Sequence, residues 1–490
     1  MKDKYLGPYQ SLRQYLDALE HFGHILHIDD INQNEYEATA LMYRIIEKHN
    51  VREAPVLFFD KIYSKNNVFK QSSVGNLFGK WDLEALAIGI LPDESSSQQN
   101  YQLALDKLEQ HIDKDGKWPI INPVTIDASE APCKENILEG EAVNLFNFPF
   151  LQTNPADNGC YINTGSVILE DDELGRNVGT YRCQIKNSKR IGINPQVNQD
   201  GWKFLQKLKA QGRAAAQVAI VIGTDPITFS MSGSKVAKYG EDELAIAGGL
   251  MGKAVEIVEC ETSAISVPAH AELIIEGEIP LDEMEEEGPF GEMYGYIGEL
   301  QRENFVMNVQ TITHRNNPII PNQFTGITRG CLTAPIEANL NRKYRSEFDD
   351  FIGLHYPLEF PGFCFVKIKK TSTNKTFDIG RSISTSLKIA KITVLFDEDV
   401  DIHNLNQVLH ALGSRWQPQR SSEMIDNANG LSGDPSSIER GMSSRIIIDA
   451  TRNATESQTN KPFSKMNIEC LREEFPDLLE TIEEKFKEII

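Results

Sequence analysis

From Tyr161 to Ile320 the chain offers one short strand-like segment after another, divided by glycine turns. "YINTGSVILED" opens the series and "THRNNPII" closes it. "YRCQIKNSKRIGIN" sets the turn "KNSK" between two strand-like arms and predicts a β-hairpin. "AAAQVAIVIG" is a continuous apolar strand ending in the turn "GTDP", and "HAELIIEGEIP" is another strand. Two helices interrupt the run, "GWKFLQKLKAQGR" and "EDELAIAGGLMG", the second rich in small residues that allow close packing. Short strands in this number predict a partly open β-barrel.

Helices and strands alternate on both sides of that block. "SLRQYLDALEHFG" predicts a helix capped by Ser11, with Leu12, Leu16 and Leu19 on one face and Gly23 at its end. "APVLFFDKI" reads as a buried strand and "DESSSQQN", Asp93 to Asn100, as a polar loop. The expected class is α/β (α+β). Residues 1–125 form a small N-terminal α/β part and residues 126–330 the open barrel. Residues 331–353 read as a charged linker helix. Residues 354–465 read as a C-terminal α/β domain, in which "GFCFVKIKK" and "AKITVLFDEDVDI" bracket a helix. In residues 466–490, Leu471, Phe475, Leu478, Ile482, Phe486 and Ile489 recur at helical spacing. They predict one terminal amphipathic helix that docks on its own chain or on another subunit.

Charge and cysteine usage exclude several roles. The formal net charge of -22 repels phosphate backbones and anionic membrane surfaces, and no Lys/Arg run offsets it, so nucleic acid is not an expected partner. No apolar run approaches the roughly 18 residues of a membrane span. The N-terminus lacks the apolar core of a secretory signal. The seven cysteines are scattered with no C-x-x-C, which suits a reducing compartment and predicts a cytoplasmic protein.

The residues that could carry chemistry cluster in three places. "EMEEEGPFGEMYGY" holds Glu283, Glu285 and Glu286, which read as solvated acids, and then Glu287 and Glu292 beside a tight turn and apolar cover. Carboxylates buried near one another hold protons more tightly, as a general acid must. "RNVGTYRCQ" contains Asn177 and a half-buried Arg182, a fork-shaped cation suited to carboxylates. Glu243 opens a helix, where an acid suits the dipole. There is no H-E-x-x-H, P-loop or G-x-S-x-G.

Taken together, these segments resemble the UbiD family of decarboxylases, which use prenylated flavin mononucleotide, and the resemblance runs nearly end to end. "EGPFGEMYGY" resembles the segment with two glutamates five apart, here Glu287 and Glu292. "NVGTYRCQ" resembles the asparagine–arginine segment, here Asn177 and Arg182, and "DELAIAGGLMGKAVEIVEC" the metal-glutamate helix with Glu243. "HRNNPI", "AKITVLFDEDVDI" and "RGMSSRIIIDAT" resemble further family segments in the expected order. The resemblance implies a split β-barrel that binds the flavin and a C-terminal domain that builds a homodimer or higher oligomer. It implies that Arg182 contacts the substrate carboxylate, that Glu287 donates the proton and that Glu292 completes the network. It implies that Asn177 and Glu243 ligate a divalent metal, Mn2+ or Mg2+, which holds the flavin phosphate, with K+ nearby and Lys391 on the phosphate. The family's third metal ligand, a histidine, is absent from "NPQVNQDGW", where Gln199 or Asp200 falls closest. Asp200 would be a competent hard-oxygen ligand and Gln199 a weaker one.

The implied reaction is reversible decarboxylation of an aromatic or α,β-unsaturated acid: cinnamate-type, hydroxybenzoate or heteroaromatic. Loss of carbon dioxide from an sp2 carbon needs an electron sink that no side chain supplies, so a cofactor must. A flavin prenyltransferase would supply it. A metal-dependent hydrolase and a catalytically inactive scaffold are the rival expectations.

Overall fold

The structure is a computed structural model that describes residues 5–64, 67–92, 96–234, 236–452 and 468–487. Its centre is a ten-stranded antiparallel sheet. The path runs Gly175–Thr180, Gly165–Asp171, Ala215–Ile222, Leu273–Pro280, Gln301–His314, Arg190–Ile193, Cys183–Asn187, Tyr161–Ile162. Met284–Glu287 and Asn136–Glu139 pair onto the long strand Gln301–His314, which thereby holds four partners. Among the described residues the sheet does not close into a barrel.

Alternation along these strands builds two cores. In Ala215–Ile222, Val218, Ile220 and Ile222 enter one cluster with Ile275 and Met307, while Ala219 and Val221 enter the other with Ile274 and the helices. A strand covered on both faces has to be apolar throughout, hence the unbroken "VAIVI". The sheet bends where Glu276 and Gly277 shift register against Gln301–His314. A Cβ on Gly277 would lie 2.0 Å from the Asn308 carbonyl oxygen, so only glycine fits there. The expected hairpin forms, with Cys183–Asn187 pairing Arg190–Ile193.

Several sequence boundaries move. Ile320–Asn322 pairs in parallel with Ser73–Gly75, so the N-terminal four-stranded sheet is completed by residues expected in the barrel. Strand pairing is non-local, and turn signals do not say which sheet a strand joins. The linker helix is Ala334–Glu347, and Phe351–His355 is already a strand of the C-terminal five-stranded sheet. Helix Ser97–His111, capped by Ser96, takes over the end of the expected polar loop, whose residues 93–95 lie outside the described residues. The single terminal helix is two, Ile468–Glu474 and Leu478–Lys485. Pro476 lies between them and cannot continue a helix. Leu471, Phe475 and Phe486 are exposed, so the stripe is not buried on its own chain; Ile489 lies outside the described residues.

The linker helix is anchored rather than solvated. Fully buried Glu337 accepts from His355 Nδ1 at 2.8 Å, the Tyr356 N–H at 2.9 Å and the Tyr101 hydroxyl at 2.9 Å. One carboxylate thus ties the linker to both flanking parts. Glu337→Ala strands the buried His355 Nδ1–H and Tyr356 N–H, while the Tyr101 hydroxyl keeps Thr333 Oγ1 at 3.0 Å, and is expected to cost about 3 kcal/mol or more. Urea unfolding checks this; a midpoint equal to wild type would refute it.

Candidate active site

Only Tyr181 and Arg182 separate Gly175–Thr180, at one end of the strand path, from Cys183–Asn187, near the other end. Thr180 and Cys183 are therefore no more than ~11 Å apart. The sheet curls until its ends nearly meet, and Arg182 lies on the seam.

Two glutamates reach Arg182 from the segment after Leu273–Pro280. Glu287 ends the strand Met284–Glu287, and its Oε2 lies 2.8 Å from Arg182 Nη2 and 3.2 Å from Nε. Glu292 follows the "GPFG" turn, with Oε1 2.5 Å from Nη1. Glu287 is fully buried, while the Glu292 and Arg182 side chains are 21% and 12% exposed. Burial works against the Arg182 charge, but Glu287 and Glu292 outweigh it and hold the guanidinium above its usual pKa. The Phe290 ring lies 5.5 Å from the guanidinium carbon and packs against Tyr161 at 4.1 Å between centroids. Burial, then the nearby Glu287 charge, pushes the Tyr161 phenol well up, so it stays protonated.

Glu292 has close neighbours on both sides. A Cβ on Gly298 would come within 2.8 Å of its side chain, and one on Gly433 within 3.1 Å of its Oε2. Gly433 belongs to the C-terminal domain, whose loop also bonds the cavity wall through Ser432 and Gln196, 2.6 Å apart.

A second cluster lies in the same cavity of about 1580 Å³, which is lined by Asn177, Arg182, Asn194, Gln199, Asp200, Glu243 and Glu292 among others. Glu243 opens the helix Glu243–Met251, N-capped by Asp242, and accepts from the Val178 N–H at 3.0 Å. Burial, with the Asp242 and Asp200 charges adding to it, pushes its carboxyl up to about 8. Buried Asn177 leaves its amide nitrogen Nδ2 unpartnered among the described residues, and a half-turn of that amide would present its oxygen there instead. A buried acid short of positive charge beside further oxygen donors is the donor set of a hard divalent cation. Of the two residues the sequence offers for a third position, Asp200 is the charged one. Its charge is felt at Glu243, although its Oδ1 already accepts from Lys203 Nζ at 2.9 Å, just as Gln199 Oε1 accepts from the Gln196 N–H at 3.0 Å.

Lys391 does not join this assembly. Its Nζ lies 2.9 Å from Asp434 and 2.5 Å from Ser436, and it does not line the cavity. Lys388 does. Spacing in a sequence cannot resolve which of two nearby lysines faces inward when the turn before a strand is irregular. Asn194, which donates to Glu287 Oε2 at 2.9 Å, also escaped the motif reading. Alternation held the signal: Ile191 and Ile193 enter the core, so Gly192 and Asn194 face the other way.

Glu337, His355 and His403 form a further group able to hold a metal, with one ligand atom from each within 4.8 Å of the others. The geometry argues against one. Arg52 Nη2 donates to His355 Nε2 at 3.1 Å, leaving Nδ1 as the N–H that donates to Glu337. Both nitrogens are spent on a structural junction.

Residues 124–328 match the family described as the 3-octaprenyl-4-hydroxybenzoate carboxy-lyase Rift-related domain, and residues 331–450 match that enzyme's C-terminal domain. The phenolic acid decarboxylase of Sedimentibacter hydroxybenzoicus is 31% identical over 98% of this chain and 98% of its own. The UbiD-class enzyme HmfF from Pelotomaculum thermopropionicum, solved in complex with FMN, has a TM-score of 0.81 at 27% identity, covering 94% of this chain and 98% of that one. An evolved dimeric form of HmfF in complex with prFMN has a TM-score of 0.78 at 25% identity over the same shares.

Proposed function

The chain belongs to the UbiD family and is a carboxy-lyase of that class, and on this footing we propose that it decarboxylates an aromatic or α,β-unsaturated carboxylic acid reversibly and without oxidation, using prenylated FMN. The observation that carries the reading is Arg182 held between Glu287 and Glu292 on the wall of a cavity large enough for a flavin and an acid. The similarity to a phenolic acid decarboxylase favours a phenolic or hydroxybenzoic substrate.

The bound flavin supplies the electron sink for the carbon that loses carbon dioxide. The side chains do the rest. Arg182 has five N–H groups and spends three on Glu287 and Glu292, which leaves two for the substrate carboxylate. As the carbon–carbon bond breaks and carbon dioxide departs, Glu287 gives its proton to the vacated carbon, and solvent later restores it. Phe290, Tyr161 and the loop at Gly433 keep bulk water from that carbon. Asn177, Glu243 and Asp200 would hold Mn2+ or Mg2+ and, through it, the flavin phosphate, with K+ alongside. Lys388 offers the phosphate a cation in place of Lys391. A flavin prenyltransferase would provide the cofactor. The exposed apolar stripe of the terminal helices would pack in a homodimer or larger oligomer. Free cysteines agree with a cytoplasmic setting.

Metal binding should be proton-linked with a definite sign. Without metal, Glu243 keeps its proton up to about pH 8, against a usual value of 4.5. Below pH 8 the cation must displace that proton, so Mn2+ affinity should rise about tenfold per pH unit to about pH 8 and then level off. Titration of metal-free protein with Mn2+ from pH 6 to 9, followed by electron paramagnetic resonance, checks this; a flat profile would remove Glu243 from the ligand set.

The function itself is tested on protein produced together with a flavin prenyltransferase and offered hydroxybenzoic, cinnamic and heteroaromatic acids. Carbon dioxide release that depends on the bound flavin supports the reading. Loaded protein that turns over none of them supports the scaffold instead, and turnover with metal but no flavin supports the hydrolase.

A further inference from the structure

The "GPFG" turn between Glu287 and Glu292 is fastened to a loop distant in sequence, residues 154–159. Asn158 donates its backbone N–H to the Pro289 carbonyl at 2.9 Å and its Nδ2 to the Gly288 carbonyl at 2.8 Å. The Tyr161 hydroxyl, just beyond the loop, reaches the Pro289 carbonyl at 3.4 Å. Asp157 Oδ1 accepts from the Gly291 N–H at 2.8 Å, one residue before Glu292. The loop is also tied to the strand that follows Arg182. Gln184 Nε2 donates to the Asn158 carbonyl, and the Ile185 N–H donates to the Cys160 carbonyl at 3.0 Å. One side of the loop therefore holds the arginine's strand, and the other holds the turn that leads into Glu292.

We infer that Asp157 is a positioning residue that fixes Glu292 against Arg182 on the cavity wall. The inference rests on the proposed decarboxylation and uses only Arg182 and Glu292, both of which line the cavity. A carboxylate suits this position better than any other side chain. Asp157 is buried, and each of its oxygens faces a backbone N–H. Oδ1 takes that of Gly291, and Oδ2 takes that of Asn154 at 3.0 Å, with the Thr153 hydroxyl at 3.4 Å beside it. The Asn154 bond closes the loop on itself; the Gly291 bond bolts it to the turn. An amide has one acceptor and one donor end, so asparagine could serve one N–H and would oppose the other. Burial pushes the Asp157 carboxyl up, while the Gly291, Asn154 and Thr153 bonds and the nearby Arg182 charge favour its ionised form. Little slack follows Gly291. The Glu292 N–H donates to the Tyr296 carbonyl at 2.8 Å, and the Glu292 side chain is flanked by Gly298 and Gly433. A shift of Gly291 is therefore passed to the Glu292 oxygen that meets Arg182 Nη1 at 2.5 Å.

The test uses holoenzyme loaded with flavin and metal, with turnover expressed per bound flavin. Asp157→Asn keeps the shape and sets a donor against one of the two N–H groups. Asn158→Ala, at an exposed position, removes only the side-chain bond to Gly288. A misplacement of about 1 Å can cost ~10²-fold in rate, so we expect kcat per bound flavin to fall about 10- to 100-fold in Asp157→Asn and about 3- to 10-fold in Asn158→Ala. KM should stay nearly unchanged, because Arg182 keeps both bonds to Glu287. A purely structural role predicts otherwise: a lower urea midpoint and less bound flavin, with kcat per bound flavin as in wild type. If Asp157→Asn fails to fold, Asn158→Ala decides. An inactive wild type removes the proposed function and this inference with it. An active wild type, together with wild-type kcat per bound flavin in the deciding variant or a loss confined to KM, overturns the role of Asp157 alone.

Discussion

Glu287→Gln is expected to remove measurable decarboxylation, a loss of at least ~10²-fold and up to ~10⁴-fold in kcat, while leaving flavin and metal bound. The substitution is close to isosteric. Its amide oxygen can accept the same three N–H groups from Arg182 and Asn194 that Oε2 accepts now. Its amide nitrogen takes the place of Oε1, which has no partner to lose. The fold and the Arg182–Glu292 contact therefore survive, and what disappears is a proton that can leave. The proposed metal ligands are Glu243, Asn177 and Asp200, and no hydrogen bond joins them to Glu287 among the described residues, so cofactor retention separates a lost proton donor from a lost site. Product analysis beside the flavin spectrum makes the measurement. Full activity in this variant would transfer the proton to another group, with Glu292 next in line.

The site was more legible than its surroundings. Arg182, Glu287 and Glu292 stand out through the resemblance of "NVGTYRCQ" and "EGPFGEMYGY" to family segments, and the structure pairs them. The hairpin at Lys186–Lys189 was legible because alternation and a polar turn are local signals. What failed was non-local. Nothing in the apolar stretch "IIPN" says that Ile320–Asn322 will join Ser73–Gly75 instead of the large sheet. Glu337, His355 and Tyr101 are far apart in sequence, and their junction exists only once three parts of the chain meet. That Lys391 bonds Asp434 and Ser436 is likewise a long-range contact that spacing along one strand does not foretell. The apolar stripe of the terminal helices overlooked Pro476, since periodicity counts side chains and ignores a missing backbone N–H.

Arg182→Leu should have the largest effect of all, because it removes the cation that bonds both Glu287 and Glu292. Glu292 is partly exposed and can relax toward water, whereas Glu287 is fully buried and cannot. Breaking a buried pair from one side typically costs about 3–5 kcal/mol, and that is the expected loss of stability at neutral pH. Decarboxylation should vanish along with the carboxylate anchor. Arg182→Lys separates the two roles. A lysine restores the charge as a single point, without the planar fork that now reaches both glutamates. Most of the stability should come back, while kcat/KM stays at least ~10²-fold below wild type, since one ammonium cannot hold Glu287, Glu292 and a substrate carboxylate in register. Urea unfolding at pH 7, with turnover assays on both variants, decides the matter. Wild-type kcat/KM in Arg182→Lys would mean that charge alone suffices and that the forked geometry at the seam of the sheet serves the fold and not the reaction.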